Sequence, residues 1–181
     1  ILERGLEKFI HPQESLQMLT GTSSSISTHY FQPMIGGDLA LLQGLIKAVL
    51  ASEETQKNIL DKEFIENHTS GLLELREEIE KTDWSVIELE SGLSRTQIEE
   101  VASLYCDSQK VIACWAMGLT QQKHAVSTIQ NIVNLLLLRG NIGRPGAGVC
   151  PVRGHSNVQG DRTVGITEHP NESFLKNLDV Q

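Results

Sequence analysis

The feature that most restricts the fold is an apolar run with no alternation, Val111, Ile112, Ala113, Cys114, Trp115 and Ala116, bounded by Lys110 and Gly118. A strand with one wet face alternates apolar and polar residues, so an unbroken apolar run predicts a parallel strand buried on both faces. Gly118, Leu119 and Thr120 then turn the chain into a long helix. Along it Ala125, Ile129, Ile132, Val133, Leu136 and Leu137 share one face, with Ser127, Thr128, Gln130, Asn131 and Asn134 mostly on the other. Arg139 supplies a cation near the carboxyl end and Gly140 accepts a left-handed cap. Strand, tight turn and helix predict an α/β fold: a helix-rich, doubly wound, Rossmann-like layer on a mainly parallel sheet. In such a layer ligands sit at the carboxyl ends of the strands, where helix N–H groups are free.

The preceding sequence is helix-rich. Gly36, Gly37 and Asp38 introduce a helix with Asp38 as N-cap, and Leu39, Leu42, Ile46, Val49 and Leu50 form its apolar stripe. A short helix follows Asp61, and Glu74 to Lys81 is an acid-rich helical stretch with a solvated face. Ser94 and Gln97 match a capping box, after which Ile98, Val101, Ala102 and Tyr105 recur at helical spacing. His29 to Ile35 is a weaker strand candidate, interrupted by Pro33. The expected organisation is an irregular entry segment over 1–30, a cofactor-binding domain over 31–165 and an exit segment over 166–181. The chain opens on Ile1 with no basic-then-apolar leader, which suggests a domain excised from a larger subunit. Its apolar runs fall far short of the roughly 20 residues that span a bilayer.

Charge is segregated along the chain. The net charge is −8, which argues against a general nucleic-acid binder. All 23 acidic residues lie outside Val111 to Gly160, while Lys123, Arg139, Arg144 and Arg153 lie inside it. An apolar helix beside a glycine-rich loop carries few charges of either sign, and that alone accounts for some of the gap. The sharper reading is an anionic ligand, which a nearby carboxylate would repel by several kcal/mol at low effective dielectric. Three cysteines without C-x-x-C spacing match neither zinc nor an iron–sulfur cluster, so no metal ligands are assigned and a reduced, cytoplasmic context is expected.

Three segments carry residues suited to such a ligand. In the turn Met117 to Gln121, Gly118 lets the backbone come close to a ligand, Thr120 is either an ordinary cap or a phosphate contact, and Gln121 adds an amide. The loop with Gly140, Asn141, Gly143 and Gly146 is poor in side chains, but it lacks the Gly-Lys-Ser/Thr of a phosphate loop. It also follows a helix, whereas a nicotinamide-dinucleotide fingerprint follows a strand. The run from Arg153 to Arg162 is either a plain polar surface loop or a site in which Arg153 clamps a carboxylate with His155 beside it. Cys150 reads as a small packed residue.

Taken in order, Cys114 to Gln121 (CWAMGLTQ), Asn134 to Gly148 (NLLLLRGNIGRPGAG) and Pro151 to Gly165 (PVRGHSNVQGDRTVG) resemble the molybdopterin oxidoreductases, or DMSO reductase family, of the formate dehydrogenase alpha-subunit type. Weaker similarity runs through Gly36 to Leu50 and Asp61 to Gly71. The resemblance implies a domain holding one guanine-dinucleotide half of a bis-molybdopterin guanine dinucleotide with molybdenum or tungsten. Met117, Gly118, Thr120, Gln121, Gly140, Asn141, Gly143 and Gly146 would line that cofactor. Arg153 matches an arginine that orients the substrate carboxylate beside the metal, and formate, or a related small anion, is the implied substrate. His155 departs from the pattern, which has an amide there, and adds a proton-handling group. The metal-ligating residue and a 4Fe-4S cluster belong to upstream sequence in such proteins, so the implied partners are the remaining domains of the parent subunit and an electron-transfer subunit. The competing reading is a non-catalytic nucleotide-binding or interaction module on the same scaffold.

Overall fold

The computed structural model describes residues 8–9, 20, 24–25, 27–155, 157–167 and 169–178. Lys8–Phe9 (β1) and Ser24–Ser25 (β2) form a short antiparallel ladder. A helical series follows: α1 Asp38–Gln56, α2 Lys62–His68, α3 Leu72–Glu80, α4 Trp84–Ser91 and α5 Arg95–Asp107. Then come β3 Ile112–Trp115, α6 Met117–Thr120, α7 Ala125–Leu138, β4 Gly148–Pro151, α8 Val158–Thr163 and α9 Glu172–Leu178.

The core is built around α1. Leu41, Leu42, Leu45, Ile46, Val49 and Leu50 are buried on several of its sides, so α1 is a central helix packed by α4 and α5 and by α7. Gly44 allows that packing, because a Cβ there would stand 2.9 Å from Ile87 Cγ2 and 3.1 Å from Ile98 Cγ2. Glycine in a helix interior costs about 0.5–1 kcal/mol, which this close packing offsets. Both expected starts at Asp61 and Ser94 form: Asp61 accepts from Phe64 N at 3.0 Å, and Ser94 and Gln97 make both bonds of the capping box. Asp38, expected to cap α1, is its first residue; Gly37 is the cap and the Asp38 carboxylate accepts from Gln122 Nε2 at 2.6 Å. His29 to Ile35 forms no strand.

β3 and β4 are parallel, with Ile112 opposite Gly148 and Trp115 opposite Pro151, and α7 makes the crossover between them. The fold is therefore helix-rich with a small parallel sheet. Two expectations need correction. The long helix after Gly118 is two helices, interrupted at 121–124 where Gln122 is tied to α1. The β3 strand is buried on one face only: Ala113 and Trp115 pack against the core, while Ile112 and Cys114 are exposed. The helices cover one face of the sheet, and an apolar run registers burial without saying which element supplies it.

Candidate active site

The parallel register sets two segments side by side. Each strand ends two residues before a residue of interest, Trp115 before Met117 and Pro151 before Arg153. Val152 N donates to Trp115 O at 2.7 Å, which extends the pairing past the last ladder residue. Gly154 then fits against Met117, since a Cβ on Gly154 would fall 2.2 Å from the Met117 sulfur. The turn and the Arg153–His155 loop, two of the three segments that the sequence singles out, thus form one exposed face.

The side chains on this face are free to meet a ligand. Met117, Gly118, Thr120, Gln121, Arg153 and His155 are all exposed. A Cβ on Gly118 would meet nothing within 4 Å, so that glycine borders open space and is not required by packing. Thr120 Oγ1 donates its proton to Met117 O at 3.1 Å. While that bond is kept, Thr120 offers only acceptor lone pairs, which suits it poorly to a phosphate oxygen. The cap of α7 is His124, not Thr120. Lys123 is exposed in the same turn and adds a cation that the motifs did not single out.

The glycine loop does not join this face. Because β4 starts at Gly148, the loop lies at the amino ends of the strands, and Gly148 N donates to Val111 O at 2.9 Å. Two parallel strands of this length separate the loop from the turn by roughly 10 Å of backbone rise. Asn141 is fully buried: its Oδ1 accepts from Val111 N at 3.2 Å and its Nδ2 reaches Tyr105 Oη at 3.4 Å. Gly140, at φ 57°, lies against α2, where a Cβ would come within 2.5 Å of Asp61 Oδ2. Gly143 borders open space and Gly146 faces the Lys110 stem. These four residues, expected to line a cofactor, lie in the return of the chain from α7 to β4.

Two of the four basic residues in the acid-free window are also occupied. Arg139 Nη1 donates to Tyr105 O at 2.5 Å and its guanidinium lies over the Tyr105 ring, while Arg144 Nη2 donates to Gln109 O at 2.5 Å. Burial pushes the Tyr105 hydroxyl up to about 12, so it stays protonated and donates to Leu135 O. That leaves Lys123 and Arg153 as cations of the window with no ion-pair partner among the described residues.

Cys114 and Cys150 stand directly opposite each other in the ladder, both exposed. Sequence reasoning took Cys150 for a packed residue; pairing between strands 36 positions apart leaves no local signal. The described residues contain no cluster of three or more metal-ligating side chains. No described helix is long and apolar enough to cross a membrane.

No protein-family model matches the chain. It is 49% identical over 181 residues to protein YdeP of Escherichia coli K12, covering 97% of this chain and 24% of that one. It is 32% identical over 143 residues to formate dehydrogenase H of the same organism, covering 78% of this chain and 19% of that one. Among solved structures, acetylene hydratase from Pelobacter acetylenicus superposes with a TM-score of 0.60 at 22% identity, over 67% of this chain and 16% of that one, a likeness of fold. The chain therefore spans about a quarter or less of the length of these curated relatives. With its three ordered motifs and these relatives, the chain belongs to the molybdopterin oxidoreductase family, as a sequence of the formate dehydrogenase alpha-subunit type.

Proposed function

We propose that this chain forms part of the cofactor-binding domain of a molybdenum- or tungsten-dependent oxidoreductase, and that the parent protein oxidises formate or a similarly small anion. The observation that carries the reading is the joint exposure of Met117–Gln121 and Arg153–His155 at the carboxyl ends of two parallel strands, in a unit without a carboxylate. Gly118 offers room, since a Cβ there would meet nothing within 4 Å, and the exposed Gln121 and Lys123 follow it in the same turn. Gln121, Lys123 and Gly118 are the residues that would hold the guanine-dinucleotide half of the pterin cofactor, with Met117 as its apolar floor. When bound, that cofactor supplies the acceptor for the two electrons released as formate becomes carbon dioxide and a proton.

The work of this chain's own residues is positional. Arg153 has a planar guanidinium with paired N–H donors, which holds a carboxylate in one orientation as a point charge does not. Its neighbour Gly154, seated on Met117, fixes the distance between the arginine and the turn. On this reading the exposed His155, two residues beyond Arg153, takes up the proton that formate loses. The doubly wound layer is completed, on this reading, by strands from the rest of the parent protein, with a 4Fe-4S cluster and an electron-transfer partner beyond them.

The intact protein tests this directly. Elemental analysis should find molybdenum or tungsten, and Arg153→Ala should remove most formate-dependent dye reduction while metal content stays nearly unchanged. Arg153→Lys should recover only part of it. Protein without either metal would sink the proposal, and full activity in Arg153→Ala would sink the role of the arginine.

A further inference from the structure

We propose that Cys114 and Cys150 form a redox-active dithiol, which small anionic disulfides of the glutathione type oxidise to a cross-strand disulfide. Adjacent strands run about 4.8 Å apart, within the roughly 4.4–6.8 Å between Cα atoms that a disulfide needs. Here the two cysteines are register partners in a parallel ladder, and both are exposed. Register partners in a parallel ladder project their side chains to the same side of the sheet, so the two thiols share one exposed face. The Cys114 thiol is pushed up by burial and then by the Cys150 sulfur, a coupling that requires the two side chains to lie close together. Cys106, by contrast, packs against the core on α5.

The reaction is ordinary thiol–disulfide exchange. One cysteine thiolate attacks the small disulfide, its S–S bond breaks, and one small thiolate leaves. The second cysteine loses its proton to water and attacks the protein sulfur of the mixed disulfide, expelling the second small thiolate. Two cysteines give up two electrons and two protons, and one small disulfide becomes two thiols. An anionic reagent suits the site because neither strand carries a carboxylate, and the Asp38 carboxylate that reaches the unit is held by Gln122 Nε2. The product would lock β3 to β4 three residues before Met117 and Arg153, fixing the spacing of the two segments.

Trypsin separates the three cysteines. Cys106 falls in Thr96–Lys110, Cys114 in Val111–Lys123 and Cys150 in Gly140–Arg153, because the Arg144–Pro145 bond resists cleavage. The intact folded protein, treated with oxidised glutathione, alkylated and digested, should yield Val111–Lys123 linked to Gly140–Arg153, two hydrogens lighter than the separate peptides. Dithiothreitol should release them. The link should persist in Cys106→Ser, disappear in Cys150→Ser, and form about tenfold faster in folded protein than in urea because the register holds the second sulfur within reach. Glutathione adducts without the link, a link to Cys106, or equal rates folded and unfolded would overturn the proposal. The readout needs no cofactor, so its failure is distinct from failure of the proposed activity.

Discussion

Among the described residues Glu53 is the one buried carboxylate. Its side chain is 8% exposed, near the end of α1. It binds Lys62 Nζ at 2.7 Å and accepts from Ile59 N at 2.7 Å and Leu60 N at 3.0 Å. The connection it closes carries two non-glycine residues at positive φ, Lys57 and Asn58, a conformation that costs free energy and persists only where the surroundings hold it. The Lys62 hydrogen bond, assisted by the two backbone N–H groups and opposed by burial, lowers the Glu53 carboxyl from 4.5 to about 2. A lowered carboxyl stabilises the fold above its unfolded value and ceases to do so as pH falls through the folded one. Glu53→Gln should therefore melt below the parent at pH 7, and the difference should shrink between about pH 4.5 and pH 2. Parallel melting curves for the two proteins across that window would show that the clasp contributes nothing. The sequence around Glu53 resembles any solvated helix end, because its partners come from the loop beyond it.

At the scale of elements, local signals were legible and relative placement was not. The capping box at Ser94, the N-cap at Asp61 and the left-handed close at Gly140 each depend on residues within one turn, and each forms. The buried face of α7 came out shifted: Ile132 and Leu136 are buried as expected, but so is Thr128, which satisfies its hydroxyl on His124 O at 3.0 Å and therefore needs no solvent. The glycine loop was misplaced because a crossover carries the chain back to the amino ends of the strands, and no residue in the loop announces which end it occupies. Asn141 joins three elements there: the end of α7, the first residue before β3, and Tyr105 of α5. Asn141→Ala leaves the part-buried Val111 N–H without its partner and opens space at a fully buried side chain, at a cost of about 1–3 kcal/mol. For a chain of this size that corresponds to a fall of roughly 2–4 °C in Tm per kcal/mol. Differential scanning calorimetry should show this drop while a Met117→Leu variant stays near the parent. An unchanged Tm in Asn141→Ala would return the residue to the ligand-facing role that its motif suggests.

Over the whole molecule, charge follows architecture. The helical layer from α1 to α5 contains acids throughout, whereas β3, α6, α7 and β4 contain none, so the boundary in sequence at Val111 is also a boundary between elements. Such a division favours an anion anywhere along the acid-free unit, and the two ends of its sheet are the rival locations. A single added carboxylate separates them. Two like charges about 4 Å apart repel by about 1 kcal/mol in bulk water and about 4 kcal/mol at the effective dielectric near a protein surface. Gln121→Glu, at the exposed carboxyl end, should thus weaken binding of guanosine diphosphate by roughly fivefold to several hundredfold. Gly143→Asp adds the same charge at the amino end, at φ 77°, a conformation that aspartate tolerates better than most residues. It should leave the affinity within about twofold of the parent if the ligand lies roughly a Debye length away, about 8 Å at physiological ionic strength. Affinity read from the ligand-induced rise in Tm of the intact protein keeps any loss of intrinsic stability separate from loss of binding. The reverse ranking, with Gly143→Asp the damaging change, would move the cofactor to the glycine loop and make the exposed face around Arg153 a surface for something else.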